Sequence, residues 1–69
     1  MYQITKFVVV PYERRGQRLV RGEAQQFYTQ GEAEAVRAHM LRRRERVDLL
    51  QVTGWPVQDL WDRPKRIAG

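Results

Sequence analysis

Apolar positions open the chain in two modes. Tyr2 and Ile4 alternate with Gln3 and Thr5, and then Phe7, Val8, Val9 and Val10 are apolar without a break. β-Branched and aromatic residues dominate this stretch, so the pattern predicts a strand over residues 2–12. Alternate side chains of a strand point to opposite faces, so its second half is apolar on both. Glu13-Arg14-Arg15-Gly16-Gln17 is polar and holds a glycine, which predicts a hairpin loop. Leu19, Val20, Phe27 and Tyr28 are the strand formers of a returning segment over 18–28. Gly22-Glu23 interrupts it and marks a bulge or bend.

The period then changes from two to that of a helix. Ala33, Val36, Met40 and Val47 recur at spacings of three, four and seven, which predicts a helix over 30–46. Thr29-Gln30-Gly31-Glu32 supplies its start. The Thr29 hydroxyl can accept from the Glu32 N–H, and the Glu32 carboxylate can reach back to the Thr29 N–H. Glu32 and Glu34 sit in the first turn and Arg42, Arg43, Arg44 and Arg46 at the far end, which suits the helix dipole. Val47, Leu49, Leu50 and Val52 predict a third strand over 47–53. Gly54-Trp55-Pro56 breaks it, and Arg63-Pro64-Lys65-Arg66 reads as a polar stop. Between them Val57, Leu60 and Trp61 fit a short helical turn, while Val57, Asp59 and Trp61 against Gln58 and Leu60 fit a short strand, so residues 54–69 read as an irregular tail.

These elements predict one domain over 1–69 of class α+β: a small, antiparallel-rich sheet with one main helix, in ββαβ order. The second and third strands, which flank the helix, could run parallel through a crossover. One helix covers one face of a sheet, and Phe7–Val10 needs cover on two. The tail with Trp55 and Trp61, a second copy packing by face or edge, or a foreign partner could supply it.

A chain of 69 residues buries only about 60% of its unfolded surface, so its core is marginal. It has no Cys and one His, His39, which removes disulfides, thiolate metal sites and the usual zinc sites. The chain starts at Met1 with no charged-then-apolar leader, and its longest apolar run, around 7–11, is far short of a membrane span. The expectation is a complete cytoplasmic protein that does not engage the membrane. The net charge of +5 favours polyanions. Only Lys6 and Lys65 are lysines, and arginine suits bidentate phosphate contacts. Codon bias in a GC-rich bacterial genome would write the same arginines.

Catalytic chemistry is thinly represented. The chain contains no Ser, Cys or Asn, which removes the serine and cysteine nucleophiles. His39 has Ala35, Arg42 and Arg43 on its own helical face and no orienting carboxylate. Glu32 and Glu34 point apart, while Asp59 and Asp62 share a face only if their segment is helical. No glycine-rich phosphate loop is present. The expectation is a protein that is not an enzyme, with no catalytic, cofactor-binding or metal-binding residues.

Binding features remain. On a helix over 30–46, His39, Arg42, Arg43 and Arg46 form a ridge that could track phosphates, with Arg44 nearer the other border. Arg14, Arg15 and Arg18, followed by Arg21, make the hairpin loop a second polyanion-binding candidate. Each has a plain alternative, a solvated face or a soluble turn. The leading reading is a small noncatalytic binding or adaptor protein working through protein contacts, as a homodimer or with another protein. The alternative is a nucleic-acid-binding module built on those basic residues.

The stretch Gly16-Gln17-Arg18-Leu19-Val20-Arg21-Gly22-Glu23, then Phe27, then Gln30-Gly31-Glu32-Ala33-Glu34-Ala35 loosely resembles a group of short, uncharacterised bacterial proteins. Those have a basic hairpin ending in a Gly-Glu step, an acidic-then-alanine helix and a following strand. The resemblance covers about the first two-thirds of the chain. It implies a bacterial origin and a compact α+β fold, and it carries over no functional residue.

Overall fold

The computed structural model describes residues 2–69. In chain order it has β1 (Ile4–Arg15), β2 (Arg18–Arg21), β3 (Gln25–Phe27), α1 (Gln30–Met40), β4 (Arg46–Trp55), a 3₁₀ turn (Pro56–Gln58), β5 (Leu60–Trp61) and β6 (Lys65–Ala68). The two long strands form the centre, antiparallel from the Ile4–Gly54 pair to the Tyr12–Arg46 pair. Along the outer side of β1 lie β2 and then β3, both antiparallel to it. Along the outer side of β4 lie β5 and β6. The α+β class and the largely antiparallel sheet are as expected. The ββαβ order is not, because the tail is no tail: a 3₁₀ turn and two short strands complete the sheet.

The hairpin is tighter than its polar composition suggests. Glu13, Arg14 and Arg15 continue β1, and only Gly16 and Gln17 form the loop. Gly16 has φ +67°, the left-handed conformation that a two-residue hairpin loop needs at its first central position. The predicted interruption at Gly22 divides the return strand into β2 and β3. There the Gly22 N–H donates to the Pro11 carbonyl at 2.8 Å, so the break stays tied to β1. Since β3 and β4 both run antiparallel to β1, they are parallel to each other, as the crossover expectation had it. They are not neighbours, however, because β1 lies between them.

Thr29 caps α1 with a variation on the expected box. Its hydroxyl accepts from the Glu32 N–H at 3.3 Å and donates to the Glu32 carboxylate at 2.8 Å, instead of leaving its own N–H to that carboxylate. The helix stops at Met40 rather than Arg46. Leu41 N–H closes on Arg37 O, and the N–H groups of Arg43 and Arg44 both turn back to Met40 O. Helix propensity loses here to tertiary burial: Val47 and Leu49 are fully buried only as members of β4, paired with Pro11 and Val9. Arg37 Nε then donates to Val47 O at 2.7 Å and ties the helix to the strand that replaced its last turns.

The core lies between α1 and one sheet face. Val9, Ala33, Val47 and Leu49 are its buried centre, with Phe7, Phe27, Val36, Met40, Ile67 and Ala68 packed around them. Fully burying a valine or leucine side chain stabilises by roughly 1.5–3 kcal/mol, so these few residues supply much of the favourable energy of a small fold. Ile67 and Ala68 come from the segment expected to be irregular, and they strengthen the helix side rather than covering the other face.

Residues directly opposite on paired strands share a face. The face away from α1 therefore carries Ile4, Lys6, Val8, Val10 and Tyr12 of β1 with Arg46, Asp48, Leu50, Val52 and Gly54 of β4. No second layer crosses it among the described residues, yet Val10 and Val52 are only 1% and 7% exposed. Long side chains beside them lie down on the sheet. The Lys6 ammonium sits 4.2 Å from the centre of the Trp61 ring, and the Arg46 guanidinium 4.7 Å from that of Tyr12. Trp61 reaches this position because its strand partner is Gly54. A Cβ on Gly54 would fall 2.6 Å from the ring carbon Cε3 and 2.8 Å from Trp61 Cα.

Gly54→Ala should consequently lower stability by about 2–3 kcal/mol, since backbone has to move to admit the methyl group. Gly31→Ala, in the first turn of α1 with open space at its Cβ position, should raise stability by roughly 0.5 kcal/mol. Urea unfolding followed by far-UV circular dichroism measures both, and equal effects from the two would contradict this packing.

Candidate polyanion-binding surface

The chain is long and narrow, with principal extents of 46 × 22 × 16 Å. Its charge gathers at one end. Arg14, Arg15 and Arg18 stand at the tip of the β1–β2 hairpin, beyond Tyr12, the last β1 residue paired with β4. The turn between α1 and β4 brings Arg42, Arg43 and Arg44 to the same end. Two glutamates there join turn to hairpin. Glu45 holds Arg14 through two hydrogen bonds, Nε–Oε1 at 2.5 Å and Nη2–Oε2 at 2.7 Å. Glu13 lies 3.9 Å from both Arg44 and Arg15. Six arginines against two glutamates place four of the five net positive charges at this end.

Between hairpin and turn runs an open cleft of about 490 Å³, lined by Tyr12, Glu13, Arg14, Arg43, Arg44 and Glu45. Two of the residues singled out in the sequence, Arg14 and Arg43, meet here. Arg15 and Arg18 are paired residues at the hairpin tip, side by side on one face. Arg42 is exposed in the turn, and His39 is exposed in the last turn of α1. The expected ridge of His39, Arg42, Arg43 and Arg46 does not exist as a helical face, because the helix has ended before three of its four members. Arg46 lies on β4, over Tyr12, with Nε and Nη2 donating to the two carboxylate oxygens of Asp48 at 3.0 and 3.1 Å.

The two bidentate pairs differ in setting. Arg14 and Glu45 are about half exposed, with side-chain exposures of 47% and 53%, so their pairing is screened and contributes little to stability. Asp48 is 5% exposed. The hydrogen bonds from Arg46 are the main reason its carboxyl is held below the usual aspartate range. Burial opposes this, and the charges of Arg46 and Arg66 add to it. The Glu45 carboxyl is lowered chiefly by its hydrogen bonds from Arg14.

Arg44, Glu45 and Tyr12 were not singled out as site residues. Arg44 fell on the wrong side of a helical wheel that the structure does not use there. Glu45 left one visible signal, since it is the one acid inside the run Arg42-Arg43-Arg44-Glu45-Arg46. The acids considered for catalysis are not assembled: Asp59 adopts φ 52° in the turn before β5. Asp62 lines a smaller cleft of about 190 Å³ with Gln51, Thr53, Arg63 and Lys65.

Asp48 gives this part of the fold a pH dependence. A carboxyl whose pKa is lower folded than unfolded contributes stability that is complete above its unfolded value, near pH 4, and is lost as pH falls through the folded value. Asp48→Asn should cost about 2 kcal/mol at pH 7 and progressively less below pH 4, until wild type and variant converge. Urea midpoints from pH 7 down to pH 2 test this, and a difference that stays constant with pH would refute it. No protein-family model matches the chain, and no curated protein or solved structure matches it either.

Proposed function

We propose that this chain is a small noncatalytic nucleic-acid-binding protein that grips the phosphate backbone with its basic end. The observation that carries this reading is the placement of four of the five net charges on a hairpin tip and the turn beside it. A two-stranded ribbon fits a duplex groove, and arginine forks suit phosphate oxygens. Among the described residues Arg18, Arg42 and Arg43 pair with no carboxylate, and Arg15 approaches Glu13 only at 3.9 Å, beyond hydrogen-bond reach, which leaves their donors available. The Tyr12 and Trp61 rings already carry Arg46 and Lys6, which argues against base stacking and for backbone contacts that tolerate any sequence.

Anisotropy of a labelled oligonucleotide titrated with the protein tests the reading. Four phosphate contacts on duplex DNA predict that affinity falls roughly a hundredfold between 50 and 200 mM salt. The double substitution Arg15→Gln with Arg42→Gln should flatten that salt slope, whereas Arg63→Gln, at the smaller cleft, should not. Absence of binding at 50 mM salt, or binding insensitive to salt, would remove the reading.

One observation favours contact with protein instead. The 3₁₀ turn and β5 leave Val57 76% and Leu60 58% exposed, beside Trp55. Three such side chains on one turn are more than scattered surface apolarity requires. If they meet a second copy, the mass measured by light scattering should double with rising concentration, and Val57→Asp with Leu60→Asp should restore the monomer. A constant mass near 8.3 kDa at all concentrations would exclude self-association.

A further inference from the structure

We infer that the cleft between the hairpin and the α1–β4 turn is a seat for a single phosphate group, bound by Arg14, Arg43 and Arg44, and that Glu45 occupies it as an internal stand-in. This deepens the nucleic-acid reading and rests on it for the source of the phosphate, but the seat itself is a claim about anion chemistry. Three guanidinium groups from two distant segments reach one cleft of about 490 Å³, which is room for a phosphate and its water.

Arg14 already shows the geometry. Its fork takes both oxygens of the Glu45 carboxylate, at 2.5 and 2.7 Å. Two oxygens of a phosphate present a similar edge with more charge. Because this pair is half exposed, water can solvate Glu45 when it leaves, so displacing it is not opposed by burial.

Arg44 supplies the observation that points to a missing partner. Its Nε is buried and has no hydrogen-bond acceptor. Its Nη2 lies 3.9 Å from Glu13, beyond hydrogen-bond reach. Buried donors in folded proteins nearly always have a partner. A side chain held by no hydrogen bond can turn toward an anion that enters the cleft, and that anion would satisfy it. Glu13 and Glu45 offset two of the three guanidinium charges that line the cleft, so an anion must carry enough charge to displace a carboxylate. That selects phosphate over chloride or a monocarboxylate.

The full-length chain titrated with inorganic pyrophosphate, followed by the side-chain Nε–Hε signals of its arginines, tests the seat. The signals of Arg14 and Arg44 should shift together, and Arg63 should not move. Arg44→Gln should weaken pyrophosphate binding at least tenfold, and Arg44→Lys, which keeps the charge and loses the fork, should weaken it less. Glu45→Gln should tighten binding severalfold. Asp59→Asn, which changes net charge equally in the turn before β5 at the opposite end of the sheet, should have little effect. If Arg44→Gln does not fold, the wild-type signals and Arg44→Lys still decide. Shifts spread evenly over all arginines, or equal gains from Glu45→Gln and Asp59→Asn, would overturn the seat. Pyrophosphate binding that does not depend on Arg44 or Glu45, beside an oligonucleotide that binds with full dependence on Arg15 and Arg42, would also overturn it, leaving the broader reading intact. Pyrophosphate binding without oligonucleotide binding would uphold the seat and remove nucleic acid as the source of the phosphate.

Discussion

The pairing of β1 with β4 is the constraint from which the other features follow. Nine residue pairs, from Ile4–Gly54 to Tyr12–Arg46, fix two strands over more than half the length of the molecule. That ladder sets which side chains lie under α1, since Val9, Val47 and Leu49 form the buried centre only in this register. A slip of one residue would send each of them to the opposite face. It also forces the helix to end early, because Arg46 and Val47 are needed as strand. The turn that results is what brings Arg42, Arg43 and Arg44 to the hairpin.

Much of the first two-thirds of the fold was legible because its signals are local. The Thr29 cap, the Ala33–Val36–Met40 stripe, the β-branched run of β1 and the break at Gly22 each depend on near neighbours in sequence. The end of the helix was not legible. Arg42, Arg43, Arg44 and Arg46 are good helix formers at a helix terminus, and nothing nearby says stop. What stops them is burial of Val47 against a strand more than thirty residues earlier. The strands of residues 60–68 are illegible for a similar reason. Pro56 and Pro64 do interrupt the tail, but Leu60–Trp61 and Lys65–Ala68 become strands because β4 offers them an open side.

The surface was legible in composition and not in arrangement. Arg14, Arg15, Arg18, Arg42 and Arg43 could be picked out as basic residues. Their gathering at one end depends on topology, because Arg14 and Glu45 are 31 residues apart and meet only after the sheet has formed. The ridge drawn on a helical wheel failed with the helix that carried it. The two-faced apolar run of β1 raises a demand for cover on the face away from α1. Cationic side chains lying over aromatic rings meet part of that demand, a solution that hydropathy does not register.

Both outer positions of the sheet are filled by pairs of short segments rather than by one continuous strand. β2 and β3 are four and three residues long, and β5 and β6 are two and four. A neighbouring molecule seeking to add a strand would find, on either rim, no stretch of free backbone longer than four residues. On one rim Pro64, which has no amide hydrogen, stands between the segments. Arginines and lysines flank the longer stretches. The interruptions that make this sheet hard to read from sequence also make its rims poor templates for the strand-by-strand growth of a fibre.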